Sequence, residues 1–327
     1  MSLIIIKAGI LDSIQDEGRY GYQESGINPG GAMDIFAARL ANCLLGKPMN
    51  APVIEFHFPA PVISFSEAAV FCLTGADFGA AIDDAEIQLN SPILINKNTV
   101  LKFKKIKRGV RCYLSLLNDL KVERWLHSYS TNMKAGVGGS WGRALKGGDI
   151  ISFDAIHTLQ CLISESAFKV LPWKAQPEEH TREDKIEIIA GSEWTWLDEA
   201  NQQTLLNTTF KITNTADRMG YRLSGTTLRV KEPKHLVSSA VTFGTLQLLP
   251  SGQLIVLMAD HQTTGGYPKI ANVISAHLPH MAQRASGDVL SFAITDIDTA
   301  VKKLLQQVQY LQTVQRAANF EIQKFLR

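Results

Sequence analysis

The sequence predicts a mainly β protein with a few helices, organised as two related halves. Three observations carry this. Many short apolar runs are rich in β-branched and aromatic residues. They follow one another closely, with turn residues between them and no βαβ alternation. A short pattern occurs twice, as GDIISF at 148–153 and GDVLSF at 287–292, each a Gly-Asp turn feeding a strand. A second, looser echo links DEGRYGY at 16–22 with DRMGY at 217–221.

In chain order, the spacing predicts strands over 3–7, 61–65, 69–74, 93–95, 100–103, 111–117, 150–153, 185–189, 209–213, 227–230, 245–249 and 254–259. Two helices stand against this background. Over 33–45, Phe36, Ala37, Leu40, Ala41, Leu44 and Leu45 recur at helical spacing, and Gly46 with Pro48 supplies the stop. From about Asp298, Val301, Leu304, Val308, Leu311, Ala318, Ile322 and Phe325 recur in steps of three and four. Gln315 interrupts that seam, which favours a helix laid on its own protein over a coiled-coil handle. Prolines and alternating charges replace strands in LPWKAQPEEHTREDK, 171–185. The expected organisation is therefore a β-rich half over 1–170, a second β half over 171–295 and a terminal helix over 296–327.

Composition narrows the function classes. A chain of 327 residues exceeds what one ordinary core serves. With 33 Lys and Arg against 31 Asp and Glu, it lacks the charge excess of a nucleic-acid binder. Cys43, Cys72, Cys112 and Cys161 form no C-x-x-C pair, so reduced thiols in a reducing compartment are expected. The start, MSLIIIKAGILDSIQDEG, has too short an apolar run for a signal peptide, and no apolar stretch approaches the roughly 18 residues a membrane span needs. A cytoplasmic protein without membrane or nucleic-acid partners is the expectation.

Polar residues with chemical potential cluster in three places. The first, 13–34, combines Gln15, Asp16, Arg19, Tyr22 and Gln23 with Gly18, Gly21, Gly26, Gly30 and Gly31. Such glycines permit tight turns, and PGG before a helix can turn amide N–H groups toward an anion. The second is NTADRMGYRLSG, 214–225. There Asp217 and Arg218 are expected to brace one another, with Tyr221 and Arg222 on opposite sides. The alternative for this cluster is a charged turn over a buried tyrosine. The third is ADHQTTGGYPK, 259–269, at the end of the strand LIVLMAD. Asp260 and His261 point opposite ways on a strand, so adjacency alone makes no dyad. Thr263 and Thr264 offer hydroxyls, Gly265 and Gly266 offer amides, and Lys269 a cation. Together they suit a carboxylate, carbamate or phosphate. No P-loop, G-x-S-x-G elbow, H-E-x-x-H pair or G-x-G-x-x-G fingerprint occurs, and His277 with His280 lacks further ligands, so HLPH reads as a helix or turn with surface imidazoles and no metal is expected.

In this order and over nearly the whole chain, SIQDEGRYGYQESGINPGGAMD, LTGADF, GGSWGRALKGGD, ADRMGYRL and ADHQTTGGYPKIANVISAHLPHMAQ resemble the KipA family. That family is also described as allophanate hydrolase subunit 2, as the biotin-dependent carboxyltransferase family or as the C subunit of 5-oxoprolinase. The resemblance implies cyclophilin-like β-barrel halves. In many bacteria it implies service as the C subunit of an ATP-dependent 5-oxoprolinase, which converts 5-oxoproline to glutamate, beside a KipI-like subunit and a third subunit. Urea amidolyase carries a related domain. The chain departs from the family pattern in YLSLLNDL at 113–120, HSYST at 127–131, SGD at 286–288 and His261, where relatives carry arginine.

On that basis Asp217, Arg218 and Lys269 are the expected catalytic residues. Gln15, Asp16, Arg19, Tyr221, Thr263, Thr264, Gly265, Gly266 and Tyr267 are expected to grip a small carboxylate or lactam substrate, because fixed donors stabilise developing charge best when preorganised. No cofactor is expected on this chain: ATP belongs to the complex, since no nucleotide motif occurs here. Biotin enters only under an alternative carboxyltransferase role, carried by another chain, because Met-Lys-Met is absent. A second alternative is a non-catalytic antagonist of a KipI-like inhibitor.

Overall fold

A computed structural model describes residues 1–156, 159, 166–176, 185–232 and 235–326. Residue contacts divide the chain into two compact units. The first comprises Met1–Gly18, Asp34–Glu178 and Val308–Arg327; the second comprises Arg19–Met33 and Glu179–Gln307. The expected boundary at 171–185 lies in part outside the described residues, as does Cys161.

The first unit is built on two six-stranded sheets. One contains β1 (Ser2–Lys7), β4 (Val62–Phe65), β6 (Ala80–Ile82), β7 (Ala85–Glu86), β9 (Thr99–Phe103) and β11 (Ile150–Ser152). The other contains β2 (Ser13–Gln15), β3 (Val53–Phe56), β5 (Ala69–Asp77), β8 (Ile93–Ile95), β10 (Arg108–Leu116) and β12 (Phe168–Val170). Alternation decides which side faces inward: Leu3 and Ile5 of β1 are buried with Ile63 and Phe65 of β4, whereas Ile6 is exposed. Helix α1 (Ile35–Leu44) begins where the Asp34 carboxylate accepts the Ala37 N–H at 2.8 Å. Met33, expected inside this helix, belongs instead to the core of the second unit. Cys43, Cys72 and Cys112 are free and buried; burial lifts the Cys43 thiol to about 12 and raises the other two as well.

The second unit holds a closed seven-stranded barrel. Its strands are β13 (Lys185–Ala190), β14 (Thr209–Ile212), β15 (Gly220–Ser224), β17 (Thr245–Leu248), β18 (Leu254–Leu257), β20 (Lys269–Val273) and β21 (Val289–Ile294). They run in the order β13-β20-β17-β18-β15-β14-β21, closed by the parallel pair β13 and β21. Tyr221 and Leu223, Leu246 and Leu248, Leu254 and Val256, and Leu290 and Phe292 fill the interior. A two-stranded ribbon, β16 (Ser239–Ala240) with β19 (Thr264–Gly265), lies outside the barrel ladder.

The mainly β fold with barrel and C-terminal helix matches the expectation, with several corrections: β3 and the barrel strands β15 and β20 lie outside the runs read as strands from the sequence. Residues 227–230 form no strand; Val230 makes one isolated bridge to Leu197, and Thr227, Arg229 and Val230 are not buried. Helix α2 (Glu199–Asn207) was not foreseen, because Leu205 is its single buried residue and no apolar period announces it. His277 and His280 are buried rather than on the surface: the former accepts the Glu187 N–H, and their rings meet edge to face beside the short helix α3 (Leu278–Ala282). The terminal helix, α4 (Ile297–Phe325), buries Leu311, Ala318 and Ile322, and in the first unit Tyr310 stacks on Phe36. Laid on its own protein, as expected, it is not a free coiled-coil handle. Among the described residues no helix is long and apolar enough to cross a membrane, and no group of three or more His, Cys, Asp or Glu gathers for a metal ion.

Candidate functional site

The outward face of the barrel carries a cavity of about 450 Å³, within the range of small-molecule sites. Its floor follows from strand alternation. Inward residues of β15, β18 and β17 fill the core, so Gly220 and Arg222, Ile255 and Leu257, and Gln247 point the other way. The ladder places Gln247 opposite Ile255, and Ile255 opposite Arg222. An amide, an apolar side chain and a guanidinium thus stand in one row across three strands. Asp217, Met219, Gln262 and Tyr267 also line the cavity.

Asp217 is positioned by its own turn. Its Oδ1 accepts the N–H groups of Met219 at 2.8 Å and Gly220 at 3.1 Å. Gly220 lies tight against the next strand, where an added Cβ would meet Ile255 at 2.8 Å. Gln247 is 1% exposed, and its Nε2 has no hydrogen-bond partner. A Cβ on Gly265 would stand 2.5 Å from that nitrogen, which accounts for glycine at this position.

The expected brace between Asp217 and Arg218 is not formed; neighbours in sequence point apart here. Arg218 instead makes a two-pronged ion pair with Asp260, Nε to Oδ2 at 2.8 Å and Nη2 to Oδ1 at 3.0 Å. The same Nη2 donates to the Gly31 carbonyl at 2.6 Å. This ties the glycine loop 19–33 to the end of β18 within one unit. Arg19 is buried in that loop, where an added Cβ on Gly30 would meet its Nη1 at 3.1 Å. His261 donates from Nδ1 to the Gln262 carbonyl at 2.6 Å, and burial lowers its pKa.

Lys269 is similarly engaged: Nζ donates to Ser239 Oγ at 2.8 Å and lies 3.5 Å from Glu193, which also accepts the Lys269 backbone N–H. Thr264 and Gly265 pair with Ala240 and Ser239, and the Thr263 carbonyl accepts from Val241. Tyr221 points into the barrel core, on the side opposite Arg222, as the alternation predicts. Of the residues singled out from sequence, Asp217 and Tyr267 line the cavity. Gln15 and Asp16 belong to the first unit. There Asp16 accepts from Gly18 N, Ser128 Oγ, Tyr129 N and Ser130 Oγ, and Gln15 Nε2 donates to Ser13. Sequence reasoning passed over Gln247 and Gln262 and left Arg222 out of the site. A lone polar residue inside TLQL was the available signal for Gln247.

A closed barrel with a polar cavity of small-molecule size on its outer face thus stands in a chain built of two β units. Residues 25–294 match the family model for the carboxyltransferase domain, subdomains A and B, and the chain belongs to this family. It is 35% identical to the C subunit of 5-oxoprolinase from Haemophilus influenzae, over 93% of this chain and 94% of that protein. It is 33% identical to the C subunit of 5-oxoprolinase from Escherichia coli, over 95% and 96% respectively. Among solved structures, urea amidolyase of K. lactis superposes with a TM-score of 0.86 at 25% identity; it covers 96% of this chain, which spans only 20% of that much longer protein.

Proposed function

We propose that the chain is the C subunit of an ATP-dependent 5-oxoprolinase, a component of a hydrolase complex that opens 5-oxoproline to L-glutamate. The reading rests on one observation above the others: the match to two bacterial subunits of that name runs almost end to end in both partners. That name implies partner subunits, and we assign the chain two of them, one KipI-like. Lactam hydrolysis needs an activated carbonyl. ATP would supply it at the level of the complex by phosphorylating the lactam oxygen; water then adds to the carbon, the ring C–N bond breaks as the nitrogen takes a proton, and a second water hydrolyses the resulting acyl phosphate to glutamate and phosphate. This chain carries no nucleotide motif, so ATP is assigned to another subunit and no cofactor to this one. Asp217 and Tyr267 are assigned to direct substrate contact. Arg218 and Lys269 act by holding the loops that carry the site, through Asp260, Gly31, Glu193 and Ser239.

Co-purified subunits, with and without this chain, are to be assayed for ATP-dependent glutamate release from 5-oxoproline. Release that requires the chain is expected; an intact complex with no release refutes the reading. The relationship to urea amidolyase supports one alternative, a carboxyltransferase receiving carboxybiotin from another chain, for which avidin would inhibit the reconstituted reaction.

A further inference from the structure

We propose that Gln247 is the substrate-reading residue of the barrel cavity, and that with Asp217 and Arg222 it selects a cyclic amide bearing a carboxylate. The proposal rests on the 5-oxoprolinase reading for the identity of the ligand and on the cavity for the residues. A buried amide nitrogen without an acceptor costs free energy, and in a native protein such a group calls for a partner or a functional role. Gln247 Nε2 is that group: its side chain lines the cavity, yet the nitrogen itself has no partner. It requires an acceptor such as a carbonyl oxygen.

The two other polar groups supply the complementary halves. Asp217 uses Oδ1 for its own turn and leaves Oδ2 without a protein donor among the described residues, so it accepts an N–H from the ligand. Arg222 points outward from β15, and among the described residues its guanidinium has no acid partner. A lactam is held in the cis amide geometry, so its N–H and C=O lie on the same edge of the ring and reach an acceptor and a donor together. Along the row Gln247, Ile255, Arg222, adjacent strands are roughly 4.8 Å apart. The amide and guanidinium therefore stand about 10 Å apart at the backbone, with Ile255 between them to receive ring methylenes. Guanidinium with carboxylate is the strong pairing in this set. The same ligand without its carbonyl, proline, leaves Gln247 unpaired; without its carboxylate, 2-pyrrolidone leaves Arg222 unpaired.

The test uses Gln247→Leu, which replaces an unsatisfied polar group by an apolar one of similar size and so leaves the fold at least as stable. In the reconstituted complex, Gln247→Leu is expected to lower kcat/KM for 5-oxoproline at least tenfold, chiefly through KM, with the chain still in the complex. It is also expected to erase the preference for 5-oxoproline over proline as a competing ligand. Arg222→Ala is expected to reduce inhibition by proline while sparing that by 2-pyrrolidone. If the complex turns over 5-oxoproline and both variants stay within twofold of the parent, the inference falls while the function stands. If no complex turns it over, the function falls, and NMR line broadening of 5-oxoproline by the full chain decides the inference separately. Broadening lost in Gln247→Leu sustains it; no broadening, equal broadening in the variant, or stronger retention of free biotin than of 5-oxoproline overturns it.

Discussion

Each unit contains an aspartate that begins a tight turn, in DEGRYGY and in DRMGY, and the two have opposite surroundings. Asp16 is buried, and four donors close around its carboxylate: Gly18 N, Ser128 Oγ, Tyr129 N and Ser130 Oγ. Asp217 is exposed, accepts from two backbone amides of its own turn through Oδ1 and lines the cavity. A turn motif can thus serve as an internal fastening or as an open binding group, and the difference lies in what the rest of the chain brings to it. HSYST brings the extra donors to Asp16; among the described residues no such segment donates to Asp217.

Carboxylates with different donor counts give graded ways to test this comparison. The largest expected effect belongs to Asp12, which is buried with a single donor, the Gly9 N–H at 2.5 Å, and one oxygen unpartnered. Burial raises its pKa from 3.8 to about 7, against the smaller lowering by that hydrogen bond. A carboxyl whose folded pKa is raised favours the fold when protonated. Its contribution is full below pH 3.8 and is lost as the pH rises toward 7, amounting to about 4 kcal/mol across that window. Asp12→Asn keeps an acceptor for Gly9 and removes the charge. Denaturant titrations should show the variant more stable than the parent at pH 8 and the advantage vanishing near pH 4; parallel curves at both pH values would refute the assignment.

Next in size is Asp16→Ala, which strands four donors at once. It should cost about 3 kcal/mol in urea unfolding at pH 7, and a loss below about 1 kcal/mol would show that the HSYST segment does not depend on it.

The Gly-Asp turns give a smaller and matched pair. Gly148 and Gly287 have φ of 91° and 93°, and each following aspartate accepts the N–H three residues before it, Lys146 and Ala285. Each glycine also donates to an isoleucine carbonyl, Ile5 and Ile212, whose N–H bonds back to the aspartate carbonyl. An added Cβ finds open space at Gly148 and only the end of the Lys211 side chain at Gly287, so alanine costs backbone strain alone. Gly148→Ala and Gly287→Ala should each lower stability by about 1–2 kcal/mol. Values differing by more than twofold would break the equivalence of the two turns.

This pair was legible because its determinants are local: two glycines, two aspartates and the strands after them lie within a few residues. The glycine loop, DRMGYRL and QTTGGYPK were legible as dense polar stretches for the same reason. What escaped was long-range. Arg218 finds Asp260, 42 residues away, rather than its neighbour Asp217, and strand register, not local pattern, sets Gln247 beside Ile255 and Arg222. The glycines of TTGG illustrate the same limit: Gly265 reads from sequence as an exposed amide, and in the fold it makes room for the side chain of Gln247.

The smallest stability effect is expected where the functional effect is largest in kind. Asp217→Asn keeps an oxygen to accept the Met219 and Gly220 N–H groups, and the residue is exposed, so unfolding free energy should change by less than about 1 kcal/mol. The charge toward the cavity is lost, and the amide can present a donor where the carboxylate presented an acceptor. A ligand N–H then meets an N–H, and turnover by the assembled complex should fall at least tenfold while Asp16→Asn, in its closed surroundings, shows the reverse pattern of lost stability with retained turnover per folded chain. Measuring both quantities for both variants separates the two aspartates: if Asp217→Asn loses stability as Asp16→Asn does, Asp217 is a fastening too, and the cavity loses its acceptor.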